Sequence, residues 1–255
     1  MTKGPFNLTD KNIIVTGASS GIGRAIAVAC SVAGANIIMF ARSEDRLKET
    51  NSLLFPGNHT YFSIDLTNYG SIEKILDTCT YLKGNVHGFV HAAGAEFSAP
   101  YNMTRPEHYE QLLRINVISG FEFLRILVHK KFIDQVSGGS GVFISSIRAL
   151  FGQEGSLAYS TSKGALISGI RTLSLELARK KIRVNAILPS IVKTPMIEQF
   201  FSTIPEESVK AMKNQHPLGF GEPVDVANCC LYLLSDGSRW MTGNNLILDG
   251  GYSVR

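Results

Sequence analysis

Asn12-Ile13-Ile14-Val15-Thr16-Gly17-Ala18-Ser19-Ser20-Gly21-Ile22-Gly23 is the stretch that decides the fold. Five β-prone residues run directly into a glycine-rich turn, and Arg24 to Ala33 continues as a small-residue helix closed by Gly34. Strand, glycine turn and helix in this order form a phosphate-binding context. Glycines let the backbone approach a pyrophosphate closely, and the N–H groups at the helix start favour its charge. Gly17, Ser19, Ser20, Gly21, Ile22 and Gly23 are thus the first candidate cofactor contacts; an ordinary tight turn is the alternative.

Working outward, strand and helix alternate. Asn36 to Phe40 reads as a second strand ending at Ala41-Arg42-Ser43, and Glu44 to Leu54 as a helix with Ser43 as N-cap. The residue at the end of this strand faces the adenosine ribose in dinucleotide folds. An acid there would bind free hydroxyls, whereas Arg42 can pair with a 2′-phosphate, so NADP(H) is favoured over NAD(H); a solvated loop arginine is the alternative. Tyr61 to Leu66 is a third strand, with Asp65 and Leu66 at the edge where Asp65 can meet the adenine, and Ser71 to Leu82 a helix. Val86 to His91 is a fourth strand leading into Ala92, Ala93 and Gly94, again small residues at a strand's C-terminal edge. Pro106 to Phe132 reads as one long or two abutting helices, Gly141 to Ser146 as a strand after the Ser137–Gly141 turn, and Ile182 to Leu188 as a further strand. Residues 190 to 221, irregular to helical with Pro195, Pro205 and Pro217, form a candidate lid; Pro223 to Ser235 is helical, and Asn245 to Gly251 is a last strand and turn. The pattern predicts an α/β fold: a Rossmann-like, doubly wound parallel sheet flanked by helices in three layers, as one domain over residues 1–255.

Composition supports that reading and narrows the classes. A chain of 255 residues with 44% hydrophobic content can bury a full core. Its formal charge of +4 is scattered along the chain, which argues against a nucleic-acid binder. No run of about 18 apolar residues is present, and Met1 to Leu8 lacks an apolar targeting segment, so a cytoplasmic protein without a membrane partner is expected. Cys30, Cys79, Cys229 and Cys230 have no metal-ligand spacing; they read as small buried thiols, and no metal or disulfide is expected.

Tyr159-Ser160-Thr161-Ser162-Lys163 opens a helical run that reaches Lys181. At this spacing a phenol and an ammonium stand one turn apart on one face, and a cation beside a phenol lowers its pKa from about 10 toward a range useful for proton exchange. A half-buried Tyr with a surface Lys is the plainer alternative.

Thr16 to Gly23, Ala92-Ala93-Gly94, Asn116, Ser146, Tyr159, Lys163 and Asp249-Gly250-Gly251 together resemble the short-chain dehydrogenase/reductase family in its short single-domain branch, over residues 10 to 252. Within it the chain is most similar in general appearance to the 3-oxoacyl-[acyl-carrier-protein] reductases. The resemblance implies a tetrad. Tyr159 would exchange a proton with the substrate oxygen, Ser146 would hydrogen-bond that oxygen, Lys163 would bind the nicotinamide ribose and depress the Tyr159 pKa, and Asn116 would hold a water in the proton relay. It also places Val192 and Thr194 against the carboxamide and phosphates, and it implies a homodimer or homotetramer joined through the two long helices. Three positions depart from the family pattern: His91 stands where Asn is usual, Ser190 where Gly is usual and Phe220 where many relatives have Arg.

The substrate is less bounded. Contacts are expected from Ala95 to Pro100, Arg148 to Leu157 and the lid, with Arg148 able to pair with a carboxylate or phosphate or simply to sit in an ion pair. Lys130, Lys131, Arg179, Lys180 and Lys181 lie where a carrier protein could dock, although cations at helix C-termini are favoured without any partner. An NADPH-dependent 3-oxoacyl or ketone reductase leads, followed by a dehydrogenase of a sugar, polyol or steroid-like alcohol, and then by a non-catalytic dinucleotide sensor or scaffold.

Overall fold

The computed structural model describes residues 4–129, 132–133 and 138–254. Lys130 and Lys131 lie outside them. Seven parallel strands form one sheet: β1 (Asn12–Thr16), β2 (Asn36–Ala41), β3 (Thr60–Ser63), β4 (Gly88–His91), β5 (Gly139–Ile144), β6 (Ile182–Pro189) and β7 (Asn245–Leu248), in the order β3-β2-β1-β4-β5-β6-β7. The chain winds outward from β1 in one direction and from β4 in the other. The loops on either side of that reversal diverge and leave a crevice at the C-terminal ends of the strands.

The described residues form nine α-helices: α1 (Gly21–Val32), α2 (Glu44–Ser52), α3 (Tyr69–Lys83), α4 (Pro106–Leu113), α5 (Ser119–His129), α6 (Leu157–Ala178), α7 (Pro195–Phe201), α8 (Glu206–Asn214) and α9 (Pro223–Leu234). Strands buried on both faces read as continuous apolar runs, and their side chains alternate between two cores. Ile14, Ile38, Phe40, Phe89 and Phe143 join α3, α5 and α6 in one core, where Phe123 stacks on Phe89 at 5.0 Å and meets Phe40 edge-on at 5.2 Å. Ile13, Val15, Ile37, Met39, Val90 and Val142 join α1 and α9 in the other. The expected three layers are present.

Several boundaries differ from the sequence reading for identifiable reasons. β3 ends at Ser63, short of Leu66, because Asp65 Oδ1 accepts hydrogen bonds from the Thr67 amide (2.9 Å) and hydroxyl (2.8 Å) and turns the chain. The helix of Tyr159 ends at Ala178, and Lys181 takes a left-handed φ of 57° from which its carbonyl accepts the Gly139 N–H. β5 therefore begins at Gly139, inside the stretch read as a turn. The expected long helix from Pro106 is α4 and α5 joined by a π-helical turn, Arg114–Ile118. Residues 190 to 221 contain α7 and α8 on either side of Pro205, and Val192 bridges Gly221 at the two ends of the segment.

Candidate active site

α6 places Tyr159 and Lys163 one turn apart beneath the end of β5, where Ser146 caps a short 3-10 turn. The Ser146 Oγ accepts the Arg148 amide at 3.2 Å and keeps its hydroxyl proton for the nearby Tyr159 phenol, whose pKa it pulls down. Lys163 is 5% exposed, donates from Nζ to the Ile144 carbonyl at 2.9 Å and lies 5.6 Å from the centre of the Tyr159 ring. Burial pulls its pKa down to about 8, against the pull of Glu96.

The phenol does not show the depression that the spacing suggested. Burial drives its pKa above the usual value, the Glu96 charge pushes the same way, and Ser146 and Arg148 oppose them. The ammonium lies over the ring and is itself partly desolvated. Glu96 is the group that the spacing argument lacked.

Asn116 sits fully buried in the π turn. Its Oδ1 accepts the Ala95 N–H (2.8 Å), and its Nδ2 donates to the Ala95 carbonyl (3.0 Å) and to Ser162 Oγ (2.9 Å). The side chain thus clamps the loop after β4 to α6. The turn itself is held by His91. In the π turn the Ser119 N–H reaches Arg114 O, so the Ile115 carbonyl is left to accept from His91 Nε2 (3.1 Å) and Ser119 Oγ (2.7 Å). His91 Nδ1 meets Thr16 Oγ1 at 3.0 Å, and burial lowers the imidazole pKa to about 3. A neutral ring with its proton on Nε2 satisfies both contacts. A Cβ on Gly120 would come within 2.6 Å of the ring, so glycine there makes room for it.

The glycine turn closes the other side. A Cβ on Gly23 would lie 2.3 Å from the Gly17 carbonyl, and one on Gly17, whose φ is 68°, 2.7 Å from the Ala93 amide. The turn is folded tightly on itself and on Ala92 and Ala93, at positions where a side chain would not fit. At the start of α1, Ser20 makes no side-chain cap and the first turn holds no acid, leaving the N-terminal amides and positive dipole end for an anion. Ile22 is half-buried against the core of α1, and Arg24 Nη2 holds the Ser19 carbonyl at 2.7 Å. Thr194, N-cap of α7, sits so that a Cβ on Gly21 would be 3.2 Å from its methyl, which brings the end of the buried Val192 segment against the phosphate turn. Arg42 is exposed at the end of β2, Asp65 is exposed with its carboxyl pKa lowered by the Thr67 bonds, and Leu66 is buried behind it. These residues fit a dinucleotide: a glycine-rich cradle for the pyrophosphate, a cation at the ribose edge, and Lys163 beside Gly94, whose Cβ would stand 3.7 Å from Nζ.

A family model described as enoyl-(acyl carrier protein) reductase matches residues 17–253. The chain is 34% identical to the human 3-oxoacyl-[acyl-carrier-protein] reductase over 96% of its length and 99% of that protein's. The NAD-dependent glycerol dehydrogenase of Listeria innocua is 31% identical (98% and 96%), and the L-xylulose reductase of Caenorhabditis elegans 34% (97% and 98%). The crystal structure of a short-chain type dehydrogenase/reductase from Mycobacterium marinum superposes with a TM-score of 0.90 at 28% identity over 98% of each chain. The chain belongs to the short-chain dehydrogenase/reductase family. It is an oxidoreductase of the class that acts on CH–OH groups.

Against that family, the three departures have structural partners. His91 spans Thr16 and the π turn, as described. Ser190 Oγ meets Nε2 of the buried His216 at 2.8 Å, tying the strand end to the segment after α8. Phe220 packs between Phe201 of α7 (5.2 Å) and His216 (5.5 Å), and His216 faces Tyr252 at 5.1 Å. An aromatic chain therefore joins the candidate lid to the C-terminal turn. Arg148 donates to Tyr252 Oη at 3.3 Å and lies 5.2 Å from that ring. Sequence reasoning included Glu96 in the expected substrate-contact stretch 95–100 and His216 in the lid without singling out either, and gave Tyr252 no role. For Glu96 a signal existed: it is the only acid in the short loop after Ala92-Ala93-Gly94.

Proposed function

We propose that this short-chain dehydrogenase/reductase moves hydride between NADP(H) and a carbonyl or secondary alcohol, with Asn116, Ser146, Tyr159 and Lys163 as its catalytic set in a single domain spanning residues 1–255. The convergence of Ser146 beside the Tyr159 phenol, the buried Lys163 and the glycine cradle at Gly17–Gly23 carries the reading. When bound, the nicotinamide supplies hydride to the carbonyl carbon, or accepts it in oxidation. Tyr159 gives its phenolic proton to the carbonyl oxygen as the C=O π bond breaks, and in oxidation the phenolate takes the alcohol proton. Ser146 hydrogen-bonds that oxygen and stabilises its developing charge. Lys163 would hold the ribose hydroxyls, and its charge favours the phenolate left when Tyr159 gives up its proton, while Asn116 fixes the loop and α6 around the relay. The raised phenol pKa keeps Tyr159 protonated, which suits carbonyl reduction.

Arg42 supports NADP(H), as an exposed cation where a 2′-phosphate would lie. A 3-oxoacyl or ketone reductase and a sugar or polyol dehydrogenase both follow from this chemistry, and relatives of both kinds share its length. The sensor or scaffold reading has no supporting observation, because Tyr159 and Lys163 are both in place. For an acyl-carrier-protein thioester, Arg179, Lys180 and Lys181 offer a small exposed cationic cluster at the end of α6. Steep loss of thioester turnover with salt supports that docking, and a salt-independent rate contradicts it. We further assign residues 190–221 as a lid, a cytoplasmic setting, and a homodimer or homotetramer. No helix among the described residues is long and apolar enough to cross a membrane.

The direct test is a panel of 3-oxoacyl thioesters, simple ketones, ketoses and polyols assayed with NADPH, NADH and their oxidised forms. Turnover of at least one carbonyl–alcohol pair, faster with the phosphorylated cofactor, supports the proposal; binding of cofactor with no hydride transfer to any compound overturns it.

A further inference from the structure

We infer that Glu96 and Arg148 are a specificity-determining pair beside Tyr159, and that they select a small polyhydroxylated substrate, a ketose or its polyol, over an apolar acyl thioester. The inference rests on the oxidoreductase reading above and narrows its substrate. Glu96 follows Ala95, whose N–H and C=O are both held by Asn116 (2.8 and 3.0 Å), so the loop that presents it is anchored to the catalytic helix layer. Its carboxylate lies within electrostatic range of Tyr159, Lys163 and Arg148, yet among the described residues it accepts no hydrogen bond and closes no ion pair.

Arg148 follows Ser146 by two residues. Its amide is bound to Ser146 Oγ at 3.2 Å, and its guanidinium is steadied by Tyr252 through one hydrogen bond of 3.3 Å and the ring face at 5.2 Å. Among the described residues, one of the five guanidinium N–H donors is engaged, and it is engaged this way. The two charges stand near enough to feel each other.

The pair has a defined chemistry. A chain of hydroxyls can donate to Glu96 and accept from Arg148 at successive carbons while its carbonyl or carbinol oxygen meets Ser146 and Tyr159. An acyl tail would strip water from an acid and a base and give neither a partner, a loss that disfavours it strongly. A simple anion would pair with Arg148 but be repelled by Glu96. Compounds with hydroxyls flanking the reacting carbon satisfy both groups.

Wild-type protein, Glu96→Gln and Arg148→Met are assayed with NADPH on a five-carbon ketose, an acetoacetyl thioester and a monofunctional methyl ketone, and with NADP⁺ on glycerol and a five-carbon polyol. Thermal unfolding checks that the variants are folded; Glu96 is exposed, and Gln preserves its shape. The expected result is wild-type preference for the hydroxylated compounds, with the kcat/KM ratio of ketose to methyl ketone falling about tenfold or more in Glu96→Gln, chiefly through KM. Wild-type preference for the thioester, or an unchanged ratio in Glu96→Gln, overturns the inference and leaves the oxidoreductase reading standing. Absence of turnover on every compound by the wild type overturns both.

Discussion

At the residue scale, the active-site charges set the pH behaviour. Tyr159 is held protonated by burial and by Glu96, so alcohol oxidation should rise with pH into the alkaline range, where phenolate forms. The groups facing the phenol are Glu96, Arg148, Lys163 and Ser146. Removing the negative charge in Glu96→Gln lowers the pKa of Tyr159, and the rising limb of kcat/KM for oxidation should move to lower pH. A limb that stays in place or moves upward shows that Glu96 does not act on the phenol. Arg42 offers a separate test at the ribose edge. Arg42→Asp replaces a phosphate partner by a hydroxyl acceptor, and the ratio of kcat/KM for NADPH over NADH should fall by about one to two orders of magnitude. An unchanged ratio refutes the role given to Arg42.

At the element scale, the π turn between α4 and α5 is the feature that joins fold to site. It frees the Ile115 carbonyl for His91 and aims Asn116 at Ala95 and Ser162. The sequence could announce helix on both sides but not the extra residue, because local propensity is the same for α and π turns. His91 was visible only as a departure; its reason is tertiary, set by Thr16 and Gly120. Two expectations follow. Burial holds His91 neutral down to about pH 3, whereas in the unfolded chain it binds a proton below its usual value of 6.5. The unfolded state therefore binds more protons between these limits, and stability falls as pH drops through 6.5. By pH 5 the loss from this one group is about 2 kcal/mol. Denaturant titrations at pH 7 and pH 5 should show a smaller acid loss for His91→Asn than for the wild type. Gly120→Ala places a methyl against the imidazole and Phe143, and should cost about 1–3 kcal/mol by the same titration.

At the scale of the whole molecule, the strand order brings the site together. The cradle after β1, Gly94 after β4, Ser146 after β5 and Thr194 after β6 all emerge at one edge, on both sides of the β1–β4 reversal. That much was legible in the sequence, because strands buried on both faces and glycine turns leave strong local signals at Asn12–Gly23 and Val86–Gly94. Glu96, His216 and Tyr252 were not, since what they do depends on charges and rings contributed by segments far apart in the chain. Assembly belongs to this scale too. Leu175 on the outer face of α6 is 77% exposed, where a homodimer through α5 and α6 would cover it. Light scattering should find an oligomer for the wild type and a smaller species for Leu175→Glu; a monomeric wild type contradicts the assignment.

The central claim is that Tyr159 moves the proton that accompanies hydride transfer. It is tested most directly by comparing wild type and Tyr159→Phe for NADPH oxidation on the best substrate of the panel, with NADPH affinity measured in parallel. The account predicts that kcat falls by about two to four orders of magnitude while cofactor affinity changes little; a variant that keeps its kcat would contradict it.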